Sequence, residues 1–154
     1  MCRICWVVVV MLVLLSSGMA YKFIIQGSTV ASSDGRLSIL LEEGERDLVL
    51  AEMRGFLEAV QQITTGISNG DMETVSKAAR KVGAAAQQAV PGSLVGKLPL
   101  DFKKLGFDTH TRFDQLALDA EQLGDEGHAL NQLTTLMQNC VGCHAGYRID
   151  SMKQ

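Results

Sequence analysis

The sequence predicts an all-α fold, an antiparallel bundle of four helices. Three observations lead to this prediction. Four stretches of the 154-residue chain carry apolar residues at alternating spacings of three and four, which is the period of an amphipathic helix. Turn residues interrupt the pattern between these stretches, mostly over short links. No long segment shows the strict alternation that predicts a strand.

The first residues have the pattern of a secretory signal. Arg3 is the only charge before an apolar run, Ile4–Leu15, and small residues follow, which favours cleavage after Ala20. That run of 12 residues is shorter than the roughly 20 that a membrane span needs. An uncleaved anchor is the lesser alternative, because apolar residues 23–25 extend the run. We therefore assign residues 1–20 to a signal peptide and expect export to the periplasm, with membrane attachment only if the signal is retained.

Residues 21–44 form an N-terminal extension that the pattern does not place. Asp34-Gly35 is typical of a turn, and Leu37–Leu41 fits either a short strand or the start of a helix. The bundle domain is predicted to run from residue 45 to residue 154.

The first two predicted helices follow in order. The first spans about 45–67, and its apolar stripe consists of Val49, Met53, Phe56, Val60, Ile63 and Ile67. Ser68-Asn69-Gly70 breaks it, and Asp71 is suited to cap the next helix. The second spans about 71–90 with an Ala-rich inner face, and Pro91-Gly92 ends it.

A long connection, residues 91–108, is predicted to precede the third helix because it contains two further glycines and a proline. The third helix spans about 109–123, and Gly124-Asp125 with Gly127 marks the next turn. The fourth spans about 126–147. One stripe of it carries Leu133, Met137, Cys140, His144 and Tyr147, which are expected to face the core.

Cys140-Val141-Gly142-Cys143-His144 is the motif with the clearest chemistry. Cys-x-x-Cys-His is the attachment signature of c-type haem. Two thiols three residues apart on a helix point to nearly the same side, so both can bond to one porphyrin edge, and the adjacent imidazole can reach the iron. The other two cysteines, Cys2 and Cys5, lie in the predicted signal. We therefore expect one covalent haem c per chain.

Two other readings of the cysteine pair are weaker. A zinc site normally needs four ligands, usually including a second Cys or His pair, and the sequence has no such pair. A thioredoxin-like thiol site belongs in a βαβ context, which the helical pattern lacks.

The chain resembles the class II c-type cytochromes, the family of cytochrome c′ and its low-spin, methionine-ligated relatives. The local match runs from Cys140 to Arg148 and includes the Tyr-Arg pair after the histidine; the wider resemblance covers 45–148. It implies thioether bonds at Cys140 and Cys143 and iron ligation by His144. For Arg148 it allows either tuning of that histidine or pairing with a haem propionate. A solvated cation near a helix C-terminus is the equal alternative.

The resemblance also places the second axial position on the first helix. Met53 lies near the middle of that helix, where the low-spin relatives supply a methionine and cytochrome c′ has a non-coordinating side chain. Ordinary core packing is the alternative for Met53. Met72, Met137 and Met152 are weaker candidates because of their positions. His110 and His128 lie near predicted helix starts among polar neighbours, so we expect both to be solvated.

The expected function is that of an electron-transfer protein with redox partner proteins, and not an enzyme. Thioether ligation opposite histidine raises the reduction potential and suits that role. The alternative is a five-coordinate binder of nitric oxide or carbon monoxide, as in cytochrome c′. The family also includes homodimers. The formal net charge is −3 and no basic run occurs, so nucleic-acid binding is not expected. No role is assigned to Lys97, Lys103 and Lys104.

Overall fold

The computed structural model describes residues 3–152 and is mostly helical, with a small three-stranded sheet. The helices are α1 (Arg3–Ala20), α2 (Glu43–Ser68), α3 (Met72–Lys81), α4 (Gly92–Lys97), α5 (Leu100–Leu123) and α6 (Glu126–Gly146). The strands are β1 (Thr29–Ala31), β2 (Leu37–Leu41) and β3 (Tyr147–Ser151). The predicted helical class is confirmed. Of the three strands, only β2 coincides with a segment for which the sequence left a strand open.

Helix α1 continues through a π-helical turn, Tyr21–Gln26, and all of its side chains are exposed. The combined segment, Arg3–Gln26, is long and apolar enough to cross a membrane, and a signal sequence has the same properties. It is therefore compatible with an export signal. The apolar run lies within α1, and the helical segment continues past Ala20.

Helices α2 and α3 begin where the sequence predicts. Glu42 and Glu45 form a reciprocal capping box at the start of α2, which satisfies backbone N–H groups that have no partner inside the helix. After α2 ends, Gly70 adopts a left-handed conformation with φ of 67°. Asp71 then caps α3 by accepting a hydrogen bond from the Thr74 N–H at 3.0 Å. The expected break and cap between these helices are confirmed.

Helix α3 is shorter than predicted, because it ends at Lys81 and a 3₁₀ turn occupies Ala84–Ala89. The Asp114 carboxylate approaches Gly83 so closely that a Cβ there would overlap it. The carboxylate of Asp114 accepts a hydrogen bond from the Ala84 N–H at 2.9 Å and so stabilises the new turn. The prediction of one helix to residue 90 is wrong, because this carboxylate comes from a segment 30 residues away.

The predicted long connection is also largely helical. Helix α4 lies within it, and α5 begins at Leu100 directly after Pro99, nine residues before the predicted start. Proline is well suited to a helix start because the N–H that it lacks would have no partner there. Gly106 lies inside α5 and does not break it. The prediction that residues 91–108 form a non-helical connection is therefore wrong.

Helix α6 is rotated relative to the predicted stripe. Leu133 and Leu136 are buried and Cys140 and Cys143 are half-buried, whereas Met137 and His144 are exposed. The inward face therefore follows spacings of three, four and three, and the expectation that Met137 and His144 face the core is wrong. The helix ends at Gly146, so Tyr147 belongs to β3.

The sheet joins the N-terminal extension to the C-terminal end of the chain. Strand β2 lies in the centre, antiparallel to β1 and parallel to β3, with Leu37 opposite Tyr147. The Met152 N–H donates to the Leu41 carbonyl at 2.9 Å. The turn predicted at Asp34-Gly35 is confirmed between β1 and β2. Of the two alternatives for residues 37–41, the strand is correct.

Two groups of buried side chains hold these elements together. The main core lies among α2, α3, α5 and α6, and Phe56 stacks on Phe113 in it with ring centroids 5.5 Å apart. Helix α2 contacts α3 and α6, and α5 also contacts α3 and α6. The smaller core lies beside the sheet and consists of Ile39, Leu41, Val49 and Leu94. It connects β2 to the starts of α2 and α4.

Candidate functional site

The Cys-x-x-Cys-His motif occupies the last turns of α6. Cys140 and Cys143 carry free thiols and are both half-buried, and Cys140 packs against the main core. One residue later, His144 is exposed, and its ring makes no hydrogen bond or ion pair with any residue of the described range 3–152. The structure thus places two half-buried thiols and one exposed imidazole on consecutive turns of α6.

Burial controls the acidity of both thiols. It raises the pKa of Cys140, and together with the neighbouring Cys140 group it raises the pKa of Cys143 to about 11. Both groups are therefore protonated at neutral pH. A catalytic or redox-active thiol needs a lowered pKa to supply thiolate, so this environment is the opposite of a thiol oxidoreductase site.

Arg36, in the turn between β1 and β2, fixes the end of the motif helix and was missed in the sequence. Its guanidinium donates to the carbonyl oxygens of His144 and Tyr147, each at 3.4 Å. These carbonyls lie in the last turn and at the C-cap of α6, where carbonyl groups have no N–H donor within the helix. Asp34 orients the same guanidinium, and the hydrogen bond from Arg36 is the main cause that lowers the Asp34 pKa. The sequence contains no local signal for a contact that spans 108 residues.

Arg148 lies on β3 and is held by protein carboxylates. It donates to Asp150 Oδ1 at 2.8 Å and to Ser32 Oγ at 3.3 Å, and Asp34 Oδ2 lies 3.5 Å away. The hydrogen bond to Asp150 is the main cause that raises the Arg148 pKa. The side chain is therefore a partly exposed member of a strand-to-turn ion-pair network.

Met53 is partly buried on α2 and packs against the same main core as Cys140. Helices α2 and α6 are in contact. The methionine and the motif therefore border one core from two neighbouring helices.

His110 differs most from its prediction. Only 2% of the residue is exposed, so the expectation of a solvated side chain is wrong. Nδ1 donates to the Val82 carbonyl at 2.8 Å, and Nε2 lies 3.0 Å from Glu52 Oε1. Burial is the largest influence and lowers the His110 pKa, but the bonds to Glu52 and Val82 together outweigh it and raise the pKa. The partners come from α2 and from the end of α3, which local sequence neighbours could not reveal.

The other candidate residues lie outside the motif region or are engaged elsewhere. His128 is exposed at the start of α6 and pairs with Asp119 at 3.2 Å, which agrees with its predicted solvation. Met72 packs at the start of α3, and Met152 is exposed. Lys97 pairs with Glu42 and Glu45, Lys103 donates to the carbonyls of Phe23 and Ile24, and Lys104 pairs with Asp101.

One cavity lies away from the motif. It has a volume of about 390 Å³ and is bounded by α2, the 3₁₀ turn, α4 and α5. Glu52 and His110 line it, whereas Cys140, Cys143, His144 and Met53 do not. The cavity is therefore separate from the motif.

Within residues 3–152, no group of three or more His, Cys, Asp and Glu side chains converges as a metal site would require. No protein-family model, curated protein or solved structure matches this chain.

Proposed function

We propose that this protein is an exported monohaem c-type cytochrome that transfers electrons, with haem c bound covalently to Cys140 and Cys143 and ligated by His144. The observation that carries the proposal is the arrangement of these three residues on α6. The two thiols are half-buried on one side, and the imidazole has no protein partner among the described residues. This donor set fits haem c, because both thiols are uncommitted and an iron ligand follows at once.

The helix arrangement supports a four-helix bundle of the class II type. Each of α2, α3, α5 and α6 contacts two of the others, in the cyclic order α2, α3, α5, α6. Tight links join α2 to α3 and α5 to α6, as expected for antiparallel neighbours. In this proposal the motif helix is the last of the four, and its inward face borders the cofactor.

Met53 is the proposed second axial ligand. It is partly buried and packs against the core that Cys140 also contacts. The main competitor is engaged elsewhere, because both ring nitrogens of His110 have protein partners. Met137, for its part, is 41% exposed on the outer face of α6. Met72 packs against the same core but is the first residue of α3, whereas Met53 lies in the middle of α2, which contacts α6.

Haem c would supply a one-electron iron couple, while the protein supplies attachment, ligation and burial. Cys140 and Cys143 would attach the haem, and His144 and Met53 would ligate its iron. Arg36 orients the motif by binding the carbonyl of His144. Arg148 already pairs with Asp34 and Asp150, so a propionate would have to compete with these carboxylates.

The proposed location is the periplasm, with redox proteins as partners. The apolar helix α1 supports export, and thioether attachment would follow export. Membrane attachment is the outcome expected if the segment Arg3–Gln26 is retained.

Absorption and resonance Raman spectra of the oxidised and reduced protein test the ligand assignment. We expect a six-coordinate, low-spin haem in both states, converted to high-spin by Met53→Ala. Met137→Ala is the matched control, since it removes an exposed thioether from the motif helix itself, and should leave the spectrum unchanged. A high-spin wild-type spectrum would instead favour the five-coordinate gas binder, and an unchanged Met53→Ala spectrum would exclude Met53 as ligand.

A further inference from the structure

We propose that the cavity between α2, α4 and α5 is a binding site for a neutral aromatic molecule that carries a hydroxyl group. Its volume of about 390 Å³ lies within the range of small-molecule sites. The proposal concerns a region that the motif does not line, and it does not depend on haem.

The side chains that line the cavity favour an apolar, aromatic ligand. Most lining side chains are aliphatic or aromatic, and the aromatic ones come from both long helices: Phe56 on α2, and Phe102 and Phe107 on α5. Phe107 is 51% exposed although it borders this space. Aromatic side chains contribute large apolar area and favour stacked or edge-to-face contact with another ring. A planar apolar molecule can therefore cover surface that the protein leaves open.

One wall is polar and contains an ion pair. Because a carbonyl can only accept, Nδ1 of His110 must donate to Val82; Nε2 then donates to Glu52 Oε1 across 3.0 Å. The ring is thus an imidazolium paired with a carboxylate, and the remaining charged residue of the lining, Lys103, donates to the carbonyls of Phe23 and Ile24. Each charged group of the lining therefore already has a protein partner, so a charged ligand would lose its hydration without full compensation and the site favours a neutral one.

The same pair offers one acceptor to the ligand. Only Oε1 of Glu52 is used by His110, and Oε2 accepts no hydrogen bond from the residues that the structure describes. The Glu52 side chain is 32% exposed and lines the cavity. A carboxylate oxygen accepts strongly from an O–H group. The complementary ligand group is therefore a hydroxyl donor, as in a phenol.

Gly106 provides a way to close the cavity. It lies in α5 and lines the space, and an added Cβ there would meet no atom within 4 Å. A Cβ therefore has room there, and we expect the side chain of Gly106→Leu to occupy the cavity. Gly44→Leu is the matched control, because Gly44 is exposed near the start of α2, has equally open surroundings and does not line the cavity.

Isothermal titration of the purified full chain with 1-naphthol and 1-methoxynaphthalene tests the proposal. The two probes share a ring system, but only the first can donate a hydrogen bond. We expect one 1-naphthol per chain, bound about tenfold more tightly than the methoxy compound, which is the scale of one charge-assisted hydrogen bond. Glu52→Gln should largely remove that preference, Gly106→Leu should abolish binding, and Gly44→Leu should retain it. Absent binding, equal binding of both probes, or full binding by Gly106→Leu would overturn the proposal.

Discussion

The pair formed by Glu52 and His110 is expected to stabilise the fold measurably, although both partners can ionise. The His110 side chain is only 3% exposed and its Nε2 lies 3.0 Å from Glu52 Oε1. A hydrogen bond that involves a charged group contributes about 1.5–3 kcal/mol to the free energy of unfolding. The Glu52 side chain is 32% exposed, so solvent screening places the coupling near the lower end, at about 1.5 kcal/mol.

A double-mutant cycle with Glu52→Gln and His110→Gln measures this coupling by urea unfolding at pH 6. The control cycle uses Glu73 and Lys77, an ion pair on α3 whose side chains are 76% and 75% exposed. We expect clear coupling in the first cycle and no measurable coupling in the second. Equal coupling in the two cycles would refute the reasoning that burial of His110 makes its pair effective.

Three further predictions concern the same fold. The pKa of His110 in the folded state is raised above about 6.5, so its stabilising contribution is complete below that pH and is lost as pH rises through the folded pKa. The difference in unfolding free energy between wild type and His110→Gln should therefore shrink from pH 6 to pH 9. A difference that grows over this range would contradict the reasoning. Gly66→Ala should lower the free energy of unfolding by about 1–3 kcal/mol, because its Cβ would lie 2.8 Å from Val75 Cγ2. Gly142→Ala, whose Cβ would meet no atom within 4 Å, should raise the free energy of unfolding by up to about 1 kcal/mol in the same urea assay. Phe113→Ala should cost about 3–5 kcal/mol because the ring is fully buried, and a loss below 1 kcal/mol would argue against the main core as described.

The parts of the fold that the sequence predicts well depend on local chemistry. Three such features are the apolar period of α2, the cap at Asp71 and the turn before α6. Each depends on residues within one helical turn of each other, so nearby residues in the sequence are enough to predict it. The failures involve distant partners. Asp114, 30 residues away along the chain, accepts a hydrogen bond from the turn that follows α3. Strand β3 forms because β2 lies beside the end of α6.

The candidate site shows the same division. The spacing of Cys140, Cys143 and His144 is local, and the structure retains it as one helical segment with both thiols inward. The burial of His110 and the support of the motif by Arg36 depend on contacts across 28 and 108 residues. Neither contact follows from apolar periodicity, because each depends on how α6 and α5 lie against other elements.

The most direct test of the central claim is whether the exported protein holds haem covalently. Acid-acetone extraction followed by a pyridine haemochrome spectrum of the polypeptide reports this in one measurement. We expect one c-type haem per chain in the wild type, none after joint Cys140→Ala and Cys143→Ala replacement, and full retention in Met137→Ala. Haem that extracts completely from the wild type, or a precipitated polypeptide without haem after expression with haem-attachment machinery, would contradict the proposed function.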